Sequence, residues 1–187
     1  MTILLSLCLL AGATYALFGQ KVDRTVEITA GSVSAQVEFQ EEIKTYSMDK
    51  PMTAGTFELG GTAILDRENA LVMAGVMPGD KAEVVLNIKN TSSVKIKYRV
   101  KATLSGDLAA AFAVTVDGKA LAGTENDTAI TEWLEMEINA EKGITVTVEL
   151  PDEAGNDFML KSGKAIFTVQ IAQGNATDQE LDNAFSE

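Results

Sequence analysis

The sequence predicts an antiparallel all-β sandwich or jelly roll with a few short helices. Three observations support this fold class: apolar and polar residues alternate along many segments, turn-forming residues separate those segments, and helical patterns are scarce. Successive side chains of a strand point to opposite faces of a sheet, so a period of two marks a strand with one buried face. Many short strands divided by turns favour two packed sheets that each bury one face.

The alternation begins close to the start of the chain. The first predicted strands cover residues 22–28, where Val22, Val26 and Ile28 share one face, and 33–39, where alternate positions are apolar. The clearest strand is 94–102, in which one face is wholly apolar and the other carries four cations. Further strands are predicted at 57–65, 82–88, 114–116, 134–138, 144–150 and 165–171. Asp117 and Gly118 lie between two apolar segments and predict a tight hairpin, because such a turn needs positive φ angles.

Helical signals are confined to two places. Residues 107–112 include a run of alanines, which predicts a short turn of helix. Thr177 and Glu180 have the spacing of a capping box, and Leu181 and Phe185 share one helical face. The chain from 176 to 187 is therefore either a capped helix or a frayed end. We expect it to be a loosely attached tail of one domain that covers residues 17–187.

Residues 1–16 are typical of a cleaved secretory signal peptide. An unbroken apolar run over 3–11 is followed by small residues, and it is too short to span a bilayer, which takes roughly 20 apolar residues. The small side chains of Thr14 and Ala16 predict cleavage between Ala16 and Leu17. No Lys or Arg precedes the run, which leaves open a start further upstream. We expect the processed chain to be secreted to the cell surface or the extracellular matrix.

The composition excludes several classes of function. Fifteen Lys and Arg stand against 27 Asp and Glu, and the net charge of −12 disfavours nucleic acids and anionic membranes as partners. The chain has no histidine, and its single cysteine, Cys8, lies in the predicted signal peptide. Histidine-dependent catalysis, thiolate chemistry and the common zinc sites are therefore excluded. We expect no enzymatic activity.

Two local patterns have the residue types of binding sites. Glu132, Glu135 and Glu137 surround Trp133 in the sequence. Two interpretations are open: a carbohydrate or glycosidase site, or a solvated strand face beside a packed tryptophan. Loop carboxylates at 125–127 and 152–157 offer the oxygen ligands that Ca²⁺ prefers, but not at the EF-hand spacing. We expect no cofactor, and calcium is the one ion for which the loops offer ligands.

The polar face of the predicted strand at 94–102 is a cationic stripe. The stripe consists of Lys95, Lys97, Arg99 and Lys101. Four like charges on one strand face need compensation, because like charges on a sheet repel one another. Two interpretations stay open: the stripe contacts the acidic surface of another copy, or it is a solvated face balanced by cross-strand glutamates such as Glu83.

Several short segments, taken in order, resemble the TasA/camelysin family of secreted proteins from Gram-positive bacteria. These segments are 13–19 (ATYALFG), 28–33 (ITAGSV), 77–80 (MPGD), 89–93 (KNTSS) and 97–100 (KYRV). In the family they correspond to the signal junction, a strand opening, a turn before a strand, the turn after it and the next strand. The resemblance covers roughly the first 105 residues. Gly19, Gln20 and the inserted stretch 41–51 depart from the family pattern.

The resemblance implies a jelly-roll subunit of biofilm-matrix fibres, released by a dedicated signal peptidase. In such fibres the N-terminal strand of one subunit completes the sheet of the next, which places the donor strand at residues 17–28. Its apolar members would be Leu17, Phe18, Val22, Val26 and Ile28. The expected partners are further copies of this chain, and other matrix proteins are a second class.

Other interpretations remain open from the residues alone. The segment 17–28 could fold back into its own domain instead of leaving it. The chain could also be a monomeric surface module that binds a carbohydrate or a host protein through Trp133 and the acidic loops. A third function is metal-dependent proteolysis, which the camelysin name implies. Zinc would find only carboxylate ligands here, which disfavours the protease.

Overall fold

The computed structural model describes residues 25–30, 33–40, 42–66, 70–125 and 128–185. These residues form two antiparallel sheets and one short α-helix, which confirms the all-β sandwich predicted from the sequence. Sheet A contains β1 (Thr25–Ala30), β2 (Val33–Phe39), β3 (Lys44–Ser47), β4 (Lys50–Pro51), β7 (Asp80–Asn90), β9 (Ala113–Val116), β10 (Lys119–Ala120) and β14 (Glu141–Glu149). Sheet B contains β5 (Thr62–Leu65), β6 (Ala70–Val76), β8 (Ile96–Gly106), β11 (Ala122–Glu125), β12 (Thr128–Ile130), β13 (Leu134–Met136) and β15 (Lys161–Gln173). The helix, α1, spans Asp178–Ala184, and short 3₁₀ turns cover Glu58–Gly60, Asp152–Ala154 and Asn156–Phe158.

Each sheet is built around its longest strands. Sheet A has the order β1-β2-β7-β14-β9-β10, and β3 pairs with both β4 and β7. Sheet B has the order β11-β12-β8-β15-β6-β5, and β13 pairs with β8. Strands β2 and β3 lie one after the other along the same side of β7. Strand β1 therefore forms the outer edge of sheet A beside β2.

The core lies between the two sheets and follows the alternation read from the sequence. The inward side chains of β7 and β8 are almost completely buried: Ala82, Val84, Leu86, Ile88, Ile96, Tyr98, Val100 and Ala102. Burying one side chain of this size contributes about 1.5–3 kcal/mol relative to leaving it in water. Two long strands that each bury one complete face therefore hold the sandwich together.

Some elements differ from the sequence prediction. The segment predicted as one strand at 57–65 begins with a 3₁₀ turn, and only Thr62–Leu65 is extended. The sequence did not predict β6, β11, β12 or the β3–β4 hairpin. Residues 107–111 form hydrogen-bonded turns, which include one bond of the α-helical type from the N–H of Phe112 to the carbonyl oxygen of Leu108 at 2.9 Å. The hairpin predicted at Asp117 and Gly118 is confirmed: it joins β9 to β10, with φ angles of 49° and 76°.

The strand directions give the sandwich two ends, named here after the two ends of β7. The Asp80 end carries the turns at 48–49, 58–60 and 77–79 and the connection 150–160. The Asn90 end carries the connections 91–95, 137–140 and 174–176. Strand β1, followed from Ala30 back to Thr25, runs from the Asn90 end toward the Asp80 end.

Candidate assembly surface

The edge of sheet A is formed by a hairpin of β1 and β2. The two strands pair antiparallel over six residue pairs, from Thr25 opposite Glu38 to Ala30 opposite Val33. Strand β2 also pairs with β7 from Ala35 to Phe39, so it has neighbours on both sides. Strand β1 pairs with β2 alone among the described strands. Among the described strands, the other side of β1 is therefore a sheet edge, which is the part of a β-protein best suited to pairing with another chain.

The predicted donor residues fall only partly within the described chain. Val26 and Ile28 lie in β1, where their register partners are Val37 and Ala35 of the same chain. The remaining predicted assembly residues and the predicted cleavage site lie outside the described residues: Ala16, Leu17, Phe18 and Val22. In the single chain, residues 25–30 are therefore paired with β2 of their own sheet. This is one of the two arrangements that the sequence left open.

Asp80, from the MPGD segment, is a buried carboxylate that connects neighbouring turns at the Asp80 end by hydrogen bonds. Its side chain accepts hydrogen bonds from the hydroxyl of Ser47 at 2.6 Å and from the backbone N–H of Met77 at 2.8 Å. The Ser47 oxygen in turn accepts the N–H of Glu58 at 3.1 Å. Burial raises the pKa of Asp80 above its usual value, and the two hydrogen bonds oppose that rise. The motif thus joins three turns of this end.

Asn90, from the KNTSS segment, has the matching role at the Asn90 end. The residue is completely buried. Its side-chain amide donates to the carbonyl oxygens of Val94 at 2.9 Å and Glu137 at 3.0 Å, and its own oxygen accepts the N–H of Ser92 at 2.9 Å. One side chain therefore joins the β7–β8 connection to the loop after β13.

Three of the four cations of the stripe are paired with carboxylates within the described chain. Lys95 pairs with Glu137, while Lys97 pairs with Asp178 at 2.7 Å and Arg99 with Asp182 at 2.5 Å. Glu83, the partner suggested by the sequence, lies in the other sheet opposite Lys44, and Tyr46 donates to its carboxylate at 3.4 Å. That suggestion was wrong because the polar face of β8 lies under the C-terminal helix, which contributes two of the three carboxylates.

The sequence allowed two forms for the C-terminal segment, a capped helix or a frayed end, and the structure has the capped helix. Thr177 and Glu180 make both hydrogen bonds of the capping box. The Glu180 carboxylate accepts the backbone N–H and the hydroxyl of Thr177, and these two bonds lower the pKa of Glu180. Leu181 is buried, and the ring of Phe185 lies 5.5 Å from that of Trp133. The sequence identified the cap, but the partners of the helix, more than 40 residues away, left no local signal.

Trp133 serves as a support for the helix rather than as an open platform. Its indole N–H donates to Asp182 at 3.0 Å, and the Arg99 guanidinium lies 4.4 Å from the ring centre. Glu135 and Glu137 are exposed on the same stretch of chain. The Trp133 ring is thus already in contact with a cation and a second aromatic ring.

The described ranges contain no group of three or more acidic or cysteine side chains that could hold a metal ion. The carboxylates of Asp152, Glu153 and Asp157 are exposed on 3₁₀ turns. Among the helices of the described chain, none is both long and apolar enough to cross a membrane.

Comparisons with known proteins give no family assignment. No family model and no curated protein matches the chain. A β-glucosidase from Kluyveromyces marxianus, solved in complex with glucose, is 12% identical with a TM-score of 0.35, over 79% of this chain and 17% of the enzyme. The secreted serine protease VesC from Vibrio cholerae is 11% identical with a TM-score of 0.29, over 78% of this chain and 34% of the protease. The chain thus spans a minor part of both proteins.

Proposed function

We propose that this chain is a secreted, non-enzymatic structural subunit of extracellular matrix fibres, assembled by donation of its N-terminal strand to the next copy. The observation that supports this function most directly is the position of β1. It is the first described strand, it lies at a sheet edge, and its pairing is limited to β2 among the described strands. The sequence resemblance to the TasA/camelysin family points the same way.

Sheet A does not depend on β1 for its other contacts. The inward side chains of β2 are buried in the core, and β2 is also hydrogen-bonded to β7. If β1 leaves, the N–H and C=O groups along one side of β2 lose their partners, and the contacts of β1 with β15 in sheet B are lost as well. A β1 strand from another copy can satisfy the same six register positions. The hydrogen bonds of the closed and exchanged forms are then equivalent, so the concentration of the protein decides between them.

Exchange of this kind produces a filament. Each copy donates one strand and accepts one strand at a different surface, so the contact is heterologous. Heterologous contacts that do not close into a ring extend without limit. A fibre is consequently the expected product, rather than a symmetric dimer.

The first test is assembly of the processed chain beginning at Leu17. We expect light scattering to rise with concentration and electron microscopy to show filaments. Deletion of residues 17–28 removes the donor and should leave a soluble particle of one copy. A full-length processed chain that stays monomeric at millimolar concentration would instead favour the monomeric binding module.

A disulfide tether tests the exchange directly. The processed chain has no cysteine, and Glu27 and Gln36 are register partners in β1 and β2. In the double variant Glu27→Cys/Gln36→Cys, oxidation before assembly should lock β1 to its own β2 and prevent fibres until a reductant is added. Oxidation of preformed fibres should give a ladder of covalent oligomers on a non-reducing gel.

The matched control is the hairpin of β9 and β10. Thr115 and Ala120 are register partners there, and Thr115→Cys/Ala120→Cys should form a disulfide within one copy in both monomers and fibres. Fibres that grow from the locked Glu27→Cys/Gln36→Cys chain would exclude strand exchange. Oxidised fibres of that variant that yield only single chains would exclude it as well.

A further inference from the structure

The C-terminal helix α1 is attached to sheet B through its side chains. Asp178 pairs with Lys97 and Asp182 pairs with Arg99. The indole N–H of Trp133 also donates to Asp182, at 3.0 Å. Among the described residues, no backbone hydrogen bond joins α1 to a strand, and four residues connect the helix to β15. The helix is therefore held in the way that a separate peptide is held on a protein surface.

Contacts within sheet B position the groups that meet the helix. The Nε of Arg99 donates to the side-chain oxygen of Gln170 at 2.6 Å, and Gln170 lies directly opposite Arg99 on β15. Thr131 exchanges two hydrogen bonds with Val100, each 3.0 Å long, which hold the chain leading to Trp133 against β8. Groups that are positioned in advance lose less conformational entropy when a ligand binds. The surface under α1 is thus a preorganised site.

The spacing of the cations on β8 matches that of the carboxylates on α1. Lys97 and Arg99 are two residues apart on a strand, which separates them by about 6.6–6.8 Å. Asp178 and Asp182 are four residues apart on a helix, which corresponds to a rise of about 6 Å. Lys101 is the next cation of the cationic stripe, and it forms no ion pair with another described residue. The stripe therefore fits an acidic helix that lies along β8, and it extends beyond the two cations that α1 uses.

The contact between α1 and its own sheet is weak enough to open. A helix of seven residues is unstable alone in water, and Leu181 is its buried side chain. Asp178 and Asp182 are 61% and 59% exposed, so solvent screens both ion pairs. A linked segment of this kind distributes between its own site and identical sites nearby, and the local concentration of those sites sets the balance.

We propose that the cationic stripe is a docking site for the α1 segment of a second copy, so that neighbouring copies exchange their C-terminal helices. The fit of this ligand is visible in the single chain, because identical chains offer identical contacts from either copy. In dilute solution the short connection keeps α1 on its own sheet. Copies packed in a fibre present the site at high local concentration, so the exchange rests on the proposed function for this crowding, whereas the site itself does not.

A synthetic peptide of residues 177–187 tests the site in solution. The reporter is the processed full-length chain with Leu181→Ser/Asp182→Ala, in which α1 is released and the fluorescence of Trp133 lies at longer wavelength. The peptide should bind saturably and return the emission to shorter wavelength. The same peptide with Asp182→Ala is the matched control. It should bind about fivefold more weakly, since it lacks one ion pair.

Full-length chains test the exchange between copies. Trp133→Phe gives a donor chain that keeps α1 but has no tryptophan. Mixed with the reporter at millimolar concentration, this donor should shift the reporter emission as the peptide does. A donor that also carries Leu181→Ser/Asp182→Ala should leave the emission unchanged.

Two results would overturn the proposal. Reporter emission that the peptide does not change at millimolar concentration would exclude the docking site, and a shift with the peptide but none with the donor would exclude exchange between copies. Thermal unfolding shows whether the reporter is folded, and Asp182→Ala, which keeps Leu181, replaces it if it is not. Peptide binding by a chain that forms no fibres would support the site and count against the fibre function. Fibres without peptide binding would overturn only the docking site.

Discussion

Arg99 and Asp182 form the link that holds the C-terminal helix against sheet B. The guanidinium donates to the carboxylate at 2.5 Å, and the same oxygen accepts the indole N–H of Trp133 at 3.0 Å. Arg99 also lies 4.4 Å from the Trp133 ring centre and 5.9 Å from that of Phe185. A helix of seven residues is not stable alone in water, so these contacts determine whether α1 is ordered.

Asp182→Ala should release this helix. We expect a loss of about 1 kcal/mol, since the carboxylate is largely exposed and salt screens such pairs. Trp133 is the only tryptophan of the chain, so its fluorescence should shift to longer wavelength as the ring meets water. Gln179→Ala, on the exposed side of the helix, is the control and should leave the spectrum unchanged. An unchanged spectrum in Asp182→Ala would contradict this account of the helix.

Asp80 should give the stability of the chain a recognisable pH dependence. Its folded-state pKa is raised, mainly by burial, so the folded chain binds the proton more tightly than the unfolded chain does. Stability should therefore fall as pH rises from the usual aspartate range through the raised pKa. Asp80→Asn lacks this titration. Between pH 3 and 7, the melting temperature of Asp80→Asn should rise relative to that of the unmodified chain as the pH increases. Parallel curves of melting temperature against pH would contradict a raised pKa of Asp80.

Removal of the Asp80 side chain tests its hydrogen bonds separately. Asp80→Ala leaves the Met77 N–H and the Ser47 hydroxyl without their acceptor. An orphaned buried donor costs about 1–3 kcal/mol, so this variant should be less stable than Asp80→Asn at every pH. Urea denaturation at pH 7 measures the difference. Equal stability of the two variants would show that the hydrogen bonds contribute little.

Asn90 should be sensitive to the charge of its replacement as well as to its loss. Asn90→Ala removes the amide hydrogen bonds to Val94 and Glu137 and should cost about 2–4 kcal/mol. Asn90→Asp places a buried carboxylate against the same carbonyl oxygens, so it should be less stable still at pH 7. Burial would raise the pKa of this carboxyl, and stability should recover as pH falls. The urea concentrations at the midpoint of unfolding, measured for both variants at pH 4 and pH 7, test this prediction. The same difference in stability between the two variants at both pH values would contradict it.

Gly163 is required by close packing of β15 against the turn before β9. A Cβ atom at this position would lie 2.4 Å from the Phe112 ring and 2.8 Å from Cβ of Leu108. Gly163→Ala should therefore cost about 1–3 kcal/mol. Phe112→Leu should restore part of the loss in the double variant, as measured by thermal unfolding. Additive losses in that variant would place the strain elsewhere.

Local sequence patterns predicted those elements whose conformation depends on neighbouring residues. The alternation over 94–102 predicted β8 and its buried face, because a period of two depends only on neighbouring residues. The β3–β4 hairpin shows where this fails. Met48 and Asp49 both have positive φ, as do Asp117 and Gly118, but only the second pair has the glycine that marks such a turn. The first hairpin was missed because its geometry is imposed by the contacts of the Asp80 end.

The candidate site was predicted less completely than the fold. The MPGD and KNTSS segments were recognised as turns, but the buried bonds of Asp80 and Asn90 were not anticipated. An asparagine followed two residues later by serine is a signal for an Asx turn and could have indicated the Ser92 bond. The carboxylates that meet Lys97 and Arg99 lie 81 and 83 residues away along the chain, and no local pattern specifies such pairs.

The short connection between β1 and β2 determines how early each copy is protected. Ala30 and Val33 are register partners, so only residues 31 and 32 separate the strands. A hairpin of this kind closes in about 1–10 μs, whereas two micromolar proteins meet and dock on a scale of roughly 0.1–10 s. A newly synthesised copy therefore pairs its own β1 with the edge of β2 long before it encounters a second copy. Under the proposed strand exchange, reopening of that hairpin, rather than diffusion, is the slow step of assembly.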